Sequence, residues 1–215
     1  MDDTERLVEH CRLALGLPET VEFQGKTVNL ARPWKRITMK EAFAGAGIDL
    51  DQCLTRDTMA SAAQAKGYEI SPNDTFDDCF FKVFLTEIEP KITANDPVIL
   101  CDYPLQMTAL SRPKPDDPRY AERFEAYVGG VELCNAFSEL NDSVEARKRL
   151  EEEKQERRRL GKDDFSIDED FVAALGAMPP ATGNALGVDR LVMLLTGAKS
   201  IEDVILFPAS ELFNE

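Results

Sequence analysis

Two adjacent glycines, Gly129 and Gly130, interrupt the stretch FEAYVGGVELCNAFSEL at residues 124–140. A two-residue loop with positive φ open at both positions predicts a β-hairpin, with 124–128 as one strand and the other starting at Val131. The turn fixes the register. If Val128 pairs with Val131, Tyr127 faces Glu132 and Glu125 faces Cys134. Side chains alternate along a strand, so Glu125 and Glu132 share a face, diagonally, with backbones about 7–8 Å apart. Two carboxylates so placed repel unless a cation lies between them. A hard divalent ion such as Mg2+, held by one or two carboxylates together with phosphate oxygens, suits that pair. The bland alternative is an ordinary amphipathic hairpin with solvated glutamates. Strict alternation sends Asn135, Phe137 and Glu139 to the opposite face. A single β-bulge near Leu133 and Cys134 would bring all three onto the Glu132 face.

The remaining composition narrows the function classes. A chain of 215 residues suits one large domain or two small ones. Its net charge of −15 argues against a general nucleic-acid binder, which needs a basic face, and is compatible with a cationic small substrate. Cys11, Cys53, Cys79, Cys101 and Cys134 are odd in number and lack paired spacing. They read as reduced thiols in a cytoplasmic protein, not as a disulfide frame or zinc site. His10 is the only histidine, which disfavours histidine-based catalysis. The longest aliphatic run, 191–195, is too short to span a membrane, and the first ten residues show no signal-peptide core, so no membrane partner is expected.

Periodicity predicts a helix over 3–15 with Leu7, Cys11 and Leu15 on one side, ended by Gly16 and Pro18. A short hairpin follows over 21–30 around Gln24-Gly25-Lys26. Residues 34–38 lead into a helix over 39–46 with Thr38 as N-cap. Further helices are expected over 57–66 and over 74–85, the latter with Phe76, Phe80, Val83 and Phe84 inward. Residues 98–103 read as a buried strand and the proline-rich 111–119 as a loop. Asp142 caps a long helix over 143–160 whose mixed charges mark a solvated face, with pairs such as Glu153 and Arg157 at helical spacing.

The second chemical stretch is GNALGVDR at 183–190, followed by the apolar LVMLL. Gly183 and Gly187 permit close backbone approach to a ligand. Arg190 stands near a helix start, where anions are favoured and a guanidinium can clamp phosphate. A glycine turn with Arg190 paired to an acid is the alternative.

Taken together, FEAYVGGVELCNAFSELND, GNALGVDRLVMLLTG and IEDVILFP closely resemble the C-terminal half of the class II lysyl-tRNA synthetase catalytic domain, the second stretch matching motif 3. Within that family RYAERFE at 119–125 and Ala185 look like the elongation factor P–(R)-β-lysine ligases, paralogues without an anticodon domain. The resemblance covers 37–208 and is strongest from Val98 onward.

It implies an α/β (α+β) fold with a mainly antiparallel sheet flanked by helices, truncated at the N-terminus and forming one partial catalytic domain over 1–215. It implies ATP and Mg2+ as cofactors, with Glu125 and Glu132 holding the metal and ATP, Leu133 and Gly187 against the nucleotide, and Arg190 as catalytic γ-phosphate clamp. Asn135, Phe137, Glu139 and Ala185 would line the amino-acid pocket, Glu139 pairing the substrate side-chain ammonium. The implied reaction activates lysine or (R)-β-lysine as an adenylate. The acyl group then passes to a lysine of elongation factor P or, as the alternative, to tRNA-Lys. A non-catalytic paralogue is the third reading. Ala136 and Ser138 depart from the family pattern, and nothing matches motif 1, which builds the family homodimer, or motif 2, whose arginine grips the α-phosphate. The chain is therefore expected to begin just after motif 2.

Overall fold

The computed structural model describes residues 1–212. The chain divides into two compact units: Met1–Cys101, Phe124–Asn135 and the chain from Ala185 on form the first, and Asp102–Arg123 with Ala136–Asn184 form the second.

The first unit opens with α1 (Asp2–Ala14), whose C-terminal Gly16 takes φ 67° as expected of a C′ glycine. Its buried face is not the predicted one. Thr4, Glu5, Val8 and Arg12 are buried, whereas Leu7 and Leu15 are exposed. The reason is polar: the Glu5 carboxylate accepts from the Arg32 and Arg36 guanidiniums and from the Trp34 backbone N–H, at 3.3–3.4 Å. A satisfied carboxylate can outrank an aliphatic stripe for the inner face.

Strands β1 (Thr20–Phe23) and β2 (Lys26–Asn29) form the expected hairpin, with Gln24 and Gly25 at positive φ in the turn. Strand β3 (Lys35–Thr38) runs into α2 (Met39–Gly45), and Thr38 and Glu41 make a reciprocal capping box. Helix α3 (Arg56–Ala65) is capped by Thr55. Helix α4 (Phe76–Val83) is capped by Thr75, and Phe76, Phe80, Val83 and Phe84 are all buried as its periodicity predicts. Phe80 meets Phe43 with ring centroids 4.5 Å apart. Beyond Val83 the helix widens into a π-turn over Phe84–Ile88, then closes in the short α5 (Glu89–Ile92), a continuation the sequence reading stopped short of.

The apolar run became β4 (Val98–Pro104). Strands β5 (Tyr120–Val128) and β6 (Val131–Ser138) flank Gly129 and Gly130, at φ 61° and 91°. Such a loop joins antiparallel strands only. Strand β7 (Thr182–Leu186) completes a five-stranded sheet of order β3-β4-β5-β6-β7, in which β3 and β4 are parallel. The Gly187 N–H donates to Leu133 O and the Glu139 N–H to Ala181 O, residue numbers that run oppositely, so β6 and β7 are antiparallel. The mixed, mainly antiparallel sheet with flanking helices is the expected fold class. Helix α6 (Ser143–Arg159), capped by Asp142, fully buries only Ala146 among its residues. Its ion pairs include Arg149 with Glu145 at 2.8 Å, while Arg157 is drawn instead to the Asp163 carbonyl at 3.2 Å. Helix α7 (Glu169–Ala177) and strand β7 were not anticipated. Helix α8 (Val188–Thr196) has Gly187 as N-cap and Gly197 as its left-handed stop. Among the described residues no helix is long and apolar enough to cross a membrane.

Within the second unit, residues 111–114 form more than a loop. The Arg112 N–H donates to Ser138 O at 2.8 Å, and the Arg112 carbonyl accepts from the Glu122 N–H at 2.9 Å. Isolated antiparallel bridges join Ser111 to Glu139 and Pro113 to Ala121. This segment serves the ladder groups of β5 and β6 beyond the hairpin's paired part.

Candidate functional site

The turn end of the hairpin lies in the first unit and is anchored there. The Gly129 N–H donates to Asn95 O at 2.9 Å, and a Cβ on Gly129 would lie 2.7 Å from a ring carbon of Phe23. Lys26 Nζ donates to Ala94 O at 2.8 Å. The register of the strands is thereby held by packing as well as by turn geometry.

Glu125 is 8% exposed. A carboxylate this buried needs partners, and it has them: the Tyr127 hydroxyl donates to Oε2 at 2.7 Å, and Asn135 Nδ2 donates to Oε1 at 3.0 Å. Tyr127 lies two residues along the same strand, on the same face. By strict alternation Asn135 faces away from Glu125, yet its amide reaches that carboxylate, and Leu133 and Cys134 are buried in succession. The Asn135 amide, expected in the amino-acid pocket, is thus engaged with Glu125. Leu133 has a buried side chain and offers its carbonyl to the Gly187 N–H at 2.9 Å.

Glu132 is half-exposed, and Arg190 reaches back to it. Arg190 Nη1 donates to the Glu132 carbonyl at 2.7 Å and lies 3.6 Å from Oε2. Arg190 is in the first turn of α8, as expected. A Cβ on Gly187 would lie 3.1 Å from Arg190 Cδ, so the glycine is what lets the arginine fold over the helix start. Arg190 is therefore presented near a helix N-terminus but held by a carboxylate's residue, a union of the two alternatives read from the sequence.

Glu89, at the start of α5, was not singled out from the sequence. Its carboxyl is held above the usual range by burial and then by the charges of Glu125 and Glu132. Tyr127 is likewise raised, by burial first and then by Glu125. The fields of Glu89, Glu125 and Glu132 overlap in this unit. Among the described residues no group of three or more His, Cys, Asp or Glu side chains is disposed as a metal cage. Mg2+ does not need one, since one or two carboxylates suffice when phosphate oxygens fill the remaining positions. An all-oxygen donor pair in a negative field, which pushes a neighbouring carboxyl upward, fits such an ion.

The open end of the hairpin lies in the second unit and differs in kind. Phe137 and Glu139 are half-buried. The Glu139 carboxylate has no hydrogen-bond or ion-pair partner among the described residues. Its neighbours in this unit are matched: Arg112 with Glu122 at 2.7 Å, Lys114 with Asp102 at 2.5 Å, and Arg119 with Asp117 at 2.7 Å. Gly183, read as a point of close approach, is approached by the Glu139 side chain itself. Ala185, grouped with the first unit, is exposed.

The period-2 spacing of Tyr127 from Glu125 could have exposed their pairing. Nothing in the sequence near Glu89 distinguishes it from the other acids of its helix.

Residues 1–211 match the family model for class II tRNA synthetases (D, K and N). The chain is similar to the lysine–tRNA ligase of Moorella thermoacetica, 42% identical over 211 residues, covering 97% of this chain and 42% of that protein. It is 40% identical over 207 residues to the lysine–tRNA ligase of Agrobacterium fabrum, covering 95% of this chain and 41% of the relative. The lysine–tRNA ligase of Campylobacter jejuni is 38% identical over 211 residues, with 97% and 42% covered. The chain thus spans less than half the length of these relatives.

Proposed function

This chain belongs to the class II tRNA synthetases of the D, K and N group, and from that premise we propose that it supplies the metal–nucleotide and ammonium-binding groups of a site that activates lysine for transfer to tRNA. The relatives are lysine–tRNA ligases, which favours tRNA over elongation factor P, the acceptor suggested by Ala185 and residues 119–125. The observation that carries the substrate is Glu139, a half-buried carboxylate with no partner among the described residues. A half-buried carboxylate with no partner among the described residues is open to a charge-assisted contact from a substrate ammonium.

In this reading Glu125 and Glu132 hold Mg2+, which when bound neutralises phosphate charge. Tyr127 and Asn135 fix the Glu125 carboxylate. Arg190 moves from Glu132 to the γ-phosphate, and Gly187 lets the nucleotide approach the backbone. Phe137 walls the amino-acid pocket and Glu139 seats the side-chain ammonium. The amino-acid carboxylate then attacks the ATP α-phosphorus. The new acyl–phosphate bond forms as the bond to pyrophosphate breaks. These residues act by positioning and charge complementarity. Arg112 and Arg119 each pair with an acid, as Arg190 does with Glu132. In this reading the charge at the α-phosphate comes from a motif-2 arginine, as the family resemblance implies.

The test is ATP–pyrophosphate exchange, run on this chain alone and on the chain carrying a motif-2 segment upstream. The extended chain should exchange with lysine, then charge tRNA-Lys and not elongation factor P. Losing one charge-stabilising group commonly costs about 10²–10³ in rate, so the chain alone should be at background. Exchange that neutral amino acids stimulate as well as lysine would overturn the proposal.

A further inference from the structure

Gly183 has no backbone reason to be glycine. It lies in β7, and its φ falls outside the left-handed range that eight other glycines of this chain occupy. Any L residue could adopt that conformation. The constraint comes from a side chain. A Cβ built on Gly183 would lie 2.1 Å from Glu139 Oε1 and 3.3 Å from Glu139 Cδ. The Glu139 carboxylate thus occupies the volume that any other residue at 183 would fill. By the β6–β7 register, in which Glu139 N–H meets Ala181 O, Gly183 is the diagonal neighbour of Glu139 across the ladder.

We propose that Gly183 is a positioning residue for substrate selection. The side chain it lacks leaves a notch in β7 that seats the Glu139 carboxylate, and this seat sets where a cationic side chain can end. The inference rests on the reading of Glu139 as the receptor of the substrate ammonium, and it adds what fixes that receptor in place. The displaced atom would be the far end of a flexible side chain, so a methyl at 183 moves the carboxylate without disturbing the strands. Selectivity changes while the fold does not.

The experiment uses the whole chain with 13C-labelled glutamate, the Glu139 carboxyl signal being identified by its loss in Glu139→Gln. In Gly183→Ala that signal should shift while the backbone amide spectrum keeps its pattern. An unmoved Glu139 signal would overturn the proposal whether or not lysine binds. The second readout is the preference for lysine over norleucine, its neutral counterpart. It should fall about tenfold or more in Gly183→Ala, the loss expected when a charge-assisted contact is displaced. The double variant Gly183→Ala/Glu139→Asp shortens the acid by one methylene and should recover part of that preference. A Gly183→Ala chain as selective as wild type also overturns the proposal. Wild type that shows no preference, with the signal still shifting in Gly183→Ala, would instead sink the reading of Glu139 and leave the notch standing.

Discussion

The two ends of the β5–β6 hairpin carry the same residue type in opposite states. At the turn end Glu125 is buried and held by Tyr127 and Asn135, and Glu132 by Arg190. At the open end Glu139 is half-buried and unpartnered among the described residues. A carboxylate satisfied by the protein contributes to folding and keeps its geometry without a ligand. A carboxylate left unsatisfied contributes little to folding and keeps its free energy for whatever cation arrives. The first arrangement suits a site that must present fixed oxygens, the second a site that must discriminate.

If that contrast is right, the turn end should be brittle and the open end tolerant. The largest loss should come from Gly129→Ala. Left-handed φ and a methyl 2.7 Å from the Phe23 ring together cost roughly 2–4 kcal/mol. Gly130→Ala has φ 91° but nothing nearer than Lys26 Nζ at 4.0 Å, and should cost only the strain, about 1–2 kcal/mol. Equal losses in urea denaturation would show that the turn is not docked on Phe23. Next, Tyr127→Phe removes a donor from a buried carboxylate and should cost about 1.5–3 kcal/mol. Glu139→Gln should stay within about 0.5 kcal/mol of wild type by the same measurement.

A smaller effect sharpens the contrast by pH. The Glu89 carboxyl is raised by burial and by Glu125 and Glu132, so the folded chain binds that proton more tightly than the unfolded one. Its contribution is fully present below the unfolded carboxyl range and is lost as pH rises through the folded value. Glu89→Gln should therefore unfold at a higher temperature than wild type at pH 7, with the gap narrowing toward pH 4. A gap independent of pH would mean that neither burial nor the neighbouring acids hold the Glu89 carboxyl above its usual range.

Legibility in the sequence followed the range of the interaction. Thr38 announces its helix because a cap is local, whereas the caps Thr55 and Thr75 were not read from the sequence. Gly129-Gly130 announces its hairpin because two positive φ values are needed side by side. The place of Arg190 at a helix start was legible by pattern. The inner face of α1 was not, because Glu5 draws Arg32, Trp34 and Arg36 from a distant part of the chain. Nor was Glu89, placed by a π-turn that apolar periodicity does not encode. Asn135 was read as a substrate contact, and its bond to Glu125 runs against the strict alternation that the turn predicts.

The central claim is that Glu139, not the acids at the turn, recognises a cationic side chain. Its most direct test is a calorimetric titration of lysine and norleucine into the chain, as wild type, Glu125→Gln and Glu139→Gln. Wild type and Glu125→Gln should both prefer lysine, and Glu139→Gln should bind the two alike. A lysine preference that survives Glu139→Gln, or that vanishes in Glu125→Gln alone, would contradict the account.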